Sequence, residues 1–261
     1  MIHRMNDPAG PGVAGSMTWL GANRYVRTAV HGCLEPWQGL RAVSRRILGH
    51  LPKAGPLKPP LPWDAAYCIN LDRRTDCWKE FRVRSQAAGI DVIRFSAITP
   101  DQSPPPRWWR RCGPEQWACR ESHMSVLADA IRHRCKRVLV FEDDALFQPQ
   151  FIQQVESVIN TLPAGWAGVL LFGNNVSLVD PKECGVARLK RATCTCAYLL
   201  SEQGMRALHS FWQTQLDYDV DQSWNLLFPS HPFFIVQPPI AGHAEGYSDT
   251  HKRWWCNGGY L

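Results

Sequence analysis

VLVFEDDALF, residues 138–147, is the most informative segment of this sequence. Its first four residues are continuously apolar, which is typical of a strand covered on both faces in a parallel sheet. Three consecutive carboxylates follow the strand directly, namely Glu142, Asp143 and Asp144. Pro149 then opens a helix at a position where a missing N–H is tolerated, and apolar residues recur at helical spacing beyond it. The segment therefore predicts a buried strand, an acidic turn and an amphipathic helix in succession.

The same alternation continues on both sides of this unit. Apolar runs predict further strands at residues 65–71, 91–95, 166–172 and 195–200. Helices are predicted from a cap at Asp76 to Gly89, from a cap at Ser122 onward, and from a cap at Ser201 to about Trp212. Strands and helices of these lengths in alternation predict an α/β sandwich around a mostly parallel central sheet.

The chain has 261 residues, of which 45% are apolar and 20% charged. This composition argues against a disordered chain, and no apolar run reaches the roughly 18–20 residues that a membrane-spanning helix needs. Residues 1–63 differ from the rest, because they are rich in Gly and Pro at the start and rich in Pro from 51 to 63. They predict an irregular N-terminal extension that ends in an extended linker, with one compact domain at residues 64–261.

The charge and the cysteines restrict the function only weakly. A net charge of +6, from 29 basic and 23 acidic side chains, fits a phosphate-bearing substrate, an acidic membrane surface or no particular partner. The basic run RWWRR at 107–111 is too short to predict nucleic-acid binding. The ten cysteines contain no CxxC pair, so Cys194 and Cys196 are expected to be buried thiols rather than metal ligands. No signal peptide is recognisable, and we expect reduced thiols in a cytoplasmic protein.

The acidic triplet is the first candidate for chemistry. In an open α/β sheet the ligand crevice lies beyond the carboxyl ends of the strands, which is where the triplet falls. Three adjacent carboxylates repel one another, and a hard cation such as Mg²⁺ or Mn²⁺ would neutralise them while keeping positions free for water and phosphate. The alternative is a solvated turn whose acids interact with the N-terminus of the following helix.

Two further polar clusters lie near the C-terminus. One precedes an apolar helical stretch, where aspartates are either helix caps or functional groups, and consists of Asp217, Asp219 and Asp221. The other, in the segment GHAEGYSDTH, combines histidines with acids and consists of His243, Glu245, Ser248, Asp249 and His251.

Seven motifs, taken in order, resemble glycosyltransferase family 25, which comprises bacterial lipooligosaccharide galactosyltransferases and procollagen galactosyltransferases. They are INLDRRTDCW (69–78), RFSAI (94–98), CRESH (119–123), VLVFEDDALF (138–147), CAYLLSEQG (196–204), DVDQSW (219–224) and GYSDT (246–250). The first 63 residues have no counterpart. Residues 104–118 depart from the Gly-rich approach to the family's GC-x-x-SH motif and place Ala118 where that Gly would be.

The resemblance implies a GT-A-like nucleotide-binding sandwich that uses a UDP-sugar with Mn²⁺ or Mg²⁺. By similarity, Asp144 is expected as a direct metal ligand, Glu142 in the metal shell or at the ribose, and Asp143 at the sugar hydroxyls. His243 is expected to be the metal ligand that many GT-A enzymes supply near the C-terminus.

The resemblance also implies roles at the first strand and in the second acidic cluster. The end of the first strand is expected to meet the nucleotide, through Asn70, Leu71, Arg73 and Arg74. The arginines can pair with phosphate or form a solvated turn. An acceptor hydroxyl needs a base within hydrogen-bond reach, and Asp221 is the first candidate, with Asp219 second.

The expected function is that of an inverting, metal-dependent glycosyltransferase. It would move a hexose, with galactose as the expected sugar, from UDP to a hydroxyl of a glycan, lipid-linked saccharide or protein, as in lipopolysaccharide biosynthesis. Peripheral membrane contact is an open alternative. Two other hypotheses are an inactive family member that serves as a binding module and a Mg²⁺-dependent phosphoryl-transfer enzyme.

The tryptophans in predicted loops could have either of two roles. Indole faces can stack on sugar rings or fill the core, and both uses are open for Trp108, Trp109, Trp117, Trp254 and Trp255. Core packing is expected for Trp78, Trp166 and Trp212, which lie on predicted helices and strands.

Overall fold

The structure, a computed structural model, describes residues 60–181, 184–214 and 217–255. The predicted N-terminal extension and most of the proline-rich linker lie outside the described residues, and the boundary near residue 63 stays a prediction. Within the described part, no helix combines the length and apolarity that crossing a membrane requires.

The strands of the described part are β1 (Ala65–Asn70), β2 (Ile93–Ser96), β3 (Arg137–Glu142), β4 (Ala145–Phe147), β5 (Gly168–Leu170), β6 (Asn174–Leu178), β7 (Gly185–Thr193), β8 (Ala197–Ser201), β9 (Phe233–Gln237), β10 (Ala241–His243), β11 (Gly246–Ser248) and β12 (Arg253–Trp255). The helices are α1 (Thr75–Ala87), α2 (Pro114–Arg132), α3 (Phe151–Thr161), α4 (Glu202–Trp212) and the short α5 (Val220–Ser223), which continues into a 3₁₀ turn at Trp224–Leu226.

Eight strands form the central sheet in the order β2-β1-β3-β8-β5-β9-β7-β6. Strands β2, β1 and β3 pair in parallel, as do β5 and β9, whereas β8 and β7 run antiparallel to both of their neighbours. Six of the eight strands therefore point the same way, and the predicted mostly parallel sheet is confirmed in this sense.

Helices cover both faces of the sheet. Along β3, Val138 and Val140 face a core that includes residues of α2 and α4, while Leu139 and Phe141 face a core that includes residues of α1 and α3. All four side chains are fully buried, which explains why this strand is continuously apolar. The predicted α/β sandwich is confirmed.

Three helix starts differ from the prediction. Helix α3 begins at Phe151 rather than at Pro149, because Gln150 between them has a left-handed backbone conformation with φ 60°. Helix α2 begins at Pro114 rather than after Ser122, because proline suits the first helical turn. The Ser122 hydroxyl instead donates to the carbonyl of Ala118 at 2.8 Å inside the helix and accepts from the N–H of Ile98 at 2.8 Å. Helix α1 begins at Thr75, so Asp76 lies within its first turn and does not cap it.

Two pairings bring distant segments to the carboxyl edge of the sheet. In the parallel pair β1 and β3, Ile69 is opposite Glu142, so Asn70 ends beside the acidic turn. After the turn, β4 pairs antiparallel with β10, and His243 is opposite Ala145. This register places His243 next to Asp144, although nearly one hundred residues separate them in sequence.

Candidate active site

A cleft of about 630 Å³ opens at the carboxyl edge of β1 and β3. Its walls come from α1, α2, the acidic turn and the segment from His243 to Trp254. Among the residues predicted for the site, those lining the cleft are Leu71, Arg73, Arg74, Glu142, Asp143, Asp144 and His243. Asn70 is buried beside it, and neither Asp219 nor Asp221 is among the described residues that line it.

Glu142 is held by residues from two other elements. Its Oε1 accepts a hydrogen bond from the Thr195 hydroxyl at 2.6 Å and lies 3.3 Å from Nε2 of the buried His123. Burial opposes ionisation, but the contacts with His123 and Thr195 outweigh it, so the pKa of Glu142 lies below its ordinary value. Glu142 is therefore an ionised carboxylate on the cleft wall.

Of the three acids, Asp143 has the surroundings that most disfavour its ionised form. Burial, together with the charges of Asp144 and Glu142, raises its pKa to about 7 against the opposing hydrogen bond from Asn70. Asn70 is itself fixed, because its Oδ1 accepts from the guanidinium of Arg94 at 2.7 and 2.9 Å. Arg84 braces the turn by donating to the backbone carbonyl of Asp143 at 2.8 Å.

Asp144 and His243 form an ion pair, with Nε2 of His243 at 2.9 Å from Oδ2 of Asp144. Burial lowers the pKa of His243, but the Asp144 carboxylate more than compensates and raises it to about 9. The other polar atom of each side chain, Oδ1 of Asp144 and Nδ1 of His243, is buried without a hydrogen-bond partner among the described residues. A carboxylate and an imidazole so arranged fit a divalent cation that takes its remaining ligands from water and phosphate.

Arg73 and Arg74 tie the end of β1 to the C-terminal hairpin of β11 and β12. Both guanidinium groups form ion pairs with the carboxylate of Asp249, with Arg73 at 2.9 Å. Arg74 also contacts Asp76 at 3.2 Å. The two arginines thus line the cleft as parts of a charged cluster, which differs from the simple solvated turn considered above.

Asp219 and Asp221, the predicted base candidates, have structural partners. Asp219 caps α5 by accepting from the N–H of Gln222 at 2.8 Å. Asp221 accepts from the N–H of Cys194 at 3.0 Å and lies 2.9 Å from the Thr195 hydroxyl. Burial and the charge of Glu142 raise its pKa to about 6. The Thr195 hydroxyl has one proton and can donate it to only one of the two carboxylates. When it donates to Glu142, its contact with Asp221 becomes a hydrogen bond if Asp221 is protonated and donates to the hydroxyl oxygen.

Four residues of the site have no role in the sequence-based predictions: Arg84, Arg94, His123 and Thr195. His123 and Arg94 lie inside the family motifs CRESH and RFSAI, and their place in these motifs is the sequence signal that could have predicted a role in the site. Arg84 and Thr195 act through contacts with the acidic turn and its strand that only the folded chain brings together.

The tryptophans of the predicted loops differ in burial, and this separates core packing from exposure at the cleft. Trp109 and Trp117 are buried and pack edge to face, with the guanidinium of Arg120 over both rings. Trp254 is 72% exposed at the rim of the cleft and contacts the ring of Tyr247. Cys194 and Cys196 are buried free thiols, as expected.

The stability of the metal-free protein should depend on pH through Asp143. Its folded pKa of about 7 lies above its ordinary value of 3.8, so its contribution is fully present below 3.8 and is lost as the pH rises through 7. Asp143→Asn should therefore raise the free energy of unfolding by about 4 kcal/mol at pH 8, because a shift of about 3 pKa units corresponds to that energy, and by less than about 1 kcal/mol at pH 4. Urea denaturation in EDTA at both pH values measures the difference. An equal effect of Asp143→Asn at both pH values, or an equal gain from Asp101→Asn on an exposed loop, would contradict this account.

The sheet, the acidic turn and the cleft define an α/β protein whose candidate active site lies at the carboxyl edge of the sheet. Residues 64–189 match the family model described as glycosyltransferase family 25 (LPS biosynthesis protein). The curated relative "Glycosyltransferase 25 family member" of Drosophila melanogaster is 24% identical over 205 residues, which cover 70% of this chain and 33% of the relative. Both findings confirm the resemblance to glycosyltransferase family 25 over the matched residues. The chain spans about a third of the length of that relative.

Two solved structures are also similar. One is a glycosyltransferase involved in the glycosylation of the major capsid of PBCV-1, with 7% identity, a TM-score of 0.41, and coverage of 67% of this chain and 81% of that chain. The other is A197 from STIV, with 12% identity, a TM-score of 0.42, and coverage of 76% and 95% respectively.

Proposed function

We propose that this protein is a metal-dependent, inverting glycosyltransferase that moves a hexose from a UDP-sugar to a hydroxyl group. The expected sugar is galactose, and the expected acceptor is a glycan, a lipid-linked saccharide such as a lipopolysaccharide precursor, or a protein. The observation that carries the proposal is the Asp144–His243 pair at the carboxyl edge of the sheet, in a cleft shared with Glu142 and Asp143. The match to the family model over residues 64–189 supports the same reaction class.

Asp144 and His243 are the residues that would hold Mn²⁺ or Mg²⁺. When bound, the cation balances the charge that develops on the diphosphate leaving group. Each side chain keeps one buried polar atom without a partner among the described residues. Occupation of the site requires His243 to lose its proton, so cation binding should strengthen as the pH rises toward 9.

The donor is proposed to lie along the end of β1. Asn70 and Arg94 fix the Asp143 carboxylate, which would accept hydrogen bonds from sugar hydroxyls. Glu142 would face the ribose or the metal shell. Arg73 and Arg74, which line the cleft and pair with Asp249, would bind the diphosphate.

Asp221 is proposed as the base that activates the acceptor, with Asp219 as the second candidate. Its pKa of about 6 suits proton removal near neutral pH. Neither residue is among the described residues that line the cleft, so this role requires the acceptor hydroxyl to approach from the side of α5. We place the protein in the cytoplasm, with or without peripheral contact to a membrane.

A donor panel tests the function without knowledge of the acceptor. Full-length protein is incubated with UDP-, GDP- and CMP-sugars in Mn²⁺, Mg²⁺ or EDTA, and the released nucleotide is measured. We expect release from a UDP-hexose alone, with a metal requirement, and a higher Tm in UDP plus Mn²⁺. A Tm shift without hydrolysis or transfer would support a binding module instead, and no shift with any nucleotide and metal would contradict the proposal.

A further inference from the structure

A second group of ligand-type atoms lies in the cleft, on the side of α2. It consists of the thiol of Cys119, the imidazole of His123 and the carboxylate of Glu142, whose ligand atoms all lie within 4.8 Å of one another. Cys119 and His123 are four residues apart on α2, so they share one face of the helix. Glu142 ends β3 and meets them from the sheet.

His123 gives an independent indication that something binds here. Its side chain is 0% exposed, and Nδ1 lies 2.7 Å from the hydroxyl of Tyr198. Nε2 lies 3.3 Å from Oε1 of Glu142 but makes no hydrogen bond among the described residues. Buried polar atoms normally have a hydrogen-bond partner, so a buried nitrogen that faces a carboxylate without one indicates that a group binds between them.

The contact with Tyr198 is the kind of support that metal-binding histidines have. When Nδ1 donates to the tyrosine oxygen, the ring is fixed and the lone pair of Nε2 points toward Glu142. A cation between Nε2 and the Glu142 carboxylate would then bind both groups. The hydrogen bond to Tyr198 therefore prepares Nε2 as a ligand.

The ligand types indicate which cation fits. Thiolate, imidazole and carboxylate together are typical of Zn²⁺, whereas Mg²⁺ and Mn²⁺ prefer oxygen ligands. Zn–ligand bonds of about 2.0–2.3 Å in a tetrahedron separate the ligand atoms by about 3.3–3.8 Å. The observed group needs only small side-chain movements to reach this spacing. A thiolate and a carboxylate also balance the two charges of the ion.

We propose that Cys119, His123 and Glu142 bind Zn²⁺, with the fourth coordination position open to the cleft. The Cys119 thiol releases its proton to solvent when the ion binds. All three residues line the cleft, so the ion can enter from solvent. The site shares Glu142 with the proposed nucleotide site but does not use the Asp144–His243 pair, and it does not depend on the proposed sugar transfer.

Cobalt substitution tests the site directly, because a thiolate ligand gives Co²⁺ a sulfur-to-metal charge-transfer band. Metal-stripped full-length protein is titrated with Co²⁺, and Zn²⁺ is then added as a competitor. We expect one equivalent of Co²⁺ to produce the band and Zn²⁺ to abolish it. Cys119→Ser should lose the band, and His123→Gln should bind Co²⁺ at least about 10-fold more weakly.

Matched variants make the result decisive. Cys112→Ser, at a partly buried cysteine that is not among the described residues of the cleft, should keep the band. Circular dichroism and Tm establish that each variant is folded, and Cys119→Ser is the mildest change if His123→Gln does not fold. No band in the wild-type protein, or an unchanged band in Cys119→Ser, would overturn the proposal.

The Asp144→Asn variant separates this inference from the proposed function. It should keep the cobalt band while losing the Tm shift caused by UDP plus Mn²⁺. Loss of both signals from a folded variant would show one shared metal site and overturn the separate zinc site. A wild-type protein that responds to UDP and Mn²⁺ but gives no band would leave sugar transfer standing and the zinc site refuted.

Discussion

Asp144→Asn is expected to abolish the Tm shift caused by UDP plus Mn²⁺ and to reduce sugar transfer by about 100-fold or more. The change removes the carboxylate that pairs with His243 and that supplies the negative charge for a cation. The turn itself should survive, because the carbonyl of residue 144 accepts a backbone hydrogen bond from Ala244 that the side chain does not affect. Differential scanning fluorimetry and nucleotide release from the UDP-sugar measure both effects.

Asp91→Asn is the matched control for this experiment. Asp91 is exposed in the loop before β2, at the opposite end of the sheet from the cleft. It should bind UDP and Mn²⁺ as the wild-type protein does. If Asp144→Asn kept a full metal-dependent shift, the cation would have to bind elsewhere, and the assignment of Asp144 and His243 would be wrong.

Gly204→Ala is expected to destabilise the protein by about 3 kcal/mol or more. Helix α4 passes so close to the start of β5 that a Cβ at position 204 would lie 1.9 Å from the carbonyl oxygen of Ala167 and 2.6 Å from its carbon. Both are backbone atoms, so no side-chain rotation relieves the clash. In an ordinary helix the same substitution stabilises by about 1 kcal/mol, so the expected effect has the opposite sign.

Urea denaturation measures this difference, and Gly246→Ala serves as its control. A Cβ at Gly246 meets nothing within 4 Å, so that variant should differ from the wild-type protein by less than about 0.5 kcal/mol. A Gly204→Ala protein as stable as the wild type would show that α4 and β5 can separate at little cost, contrary to the packing described here.

The parts of the fold that were predicted from sequence are those with strong local signals. Strand β3 is predictable because its full burial makes it continuously apolar, and the turn is predictable because three carboxylates follow the strand directly. Helix α4 begins after Ser201 as predicted, and the serine accepts a hydrogen bond from the N–H of Gly204. The antiparallel direction of β8 is not predictable in this way, because a short buried strand looks the same in either direction.

The site shows the same division. The acids of the turn are adjacent in sequence, and their clustering is visible there. Asp144 and His243 were expected as metal ligands from the family resemblance alone, and their ion pair, which spans nearly one hundred residues, is visible only in the folded chain. Thr195 contacts both Glu142 and Asp221, which are 53 and 26 residues away from it in sequence, and no local sequence pattern predicts contacts of this kind.

The insertion of β8 between β3 and β5 makes the domain indivisible. The family match ends at residue 189, inside β7, whereas β8, β9 and β10 follow it in the chain. A fragment that stopped there would keep β3 and β5 but lose the strand that joins them, so the edges of two apolar strands would be left unpaired. It would also lack His243. Limited proteolysis should therefore release no folded fragment that ends between β7 and β8, since a cut there separates the two parts of one sheet.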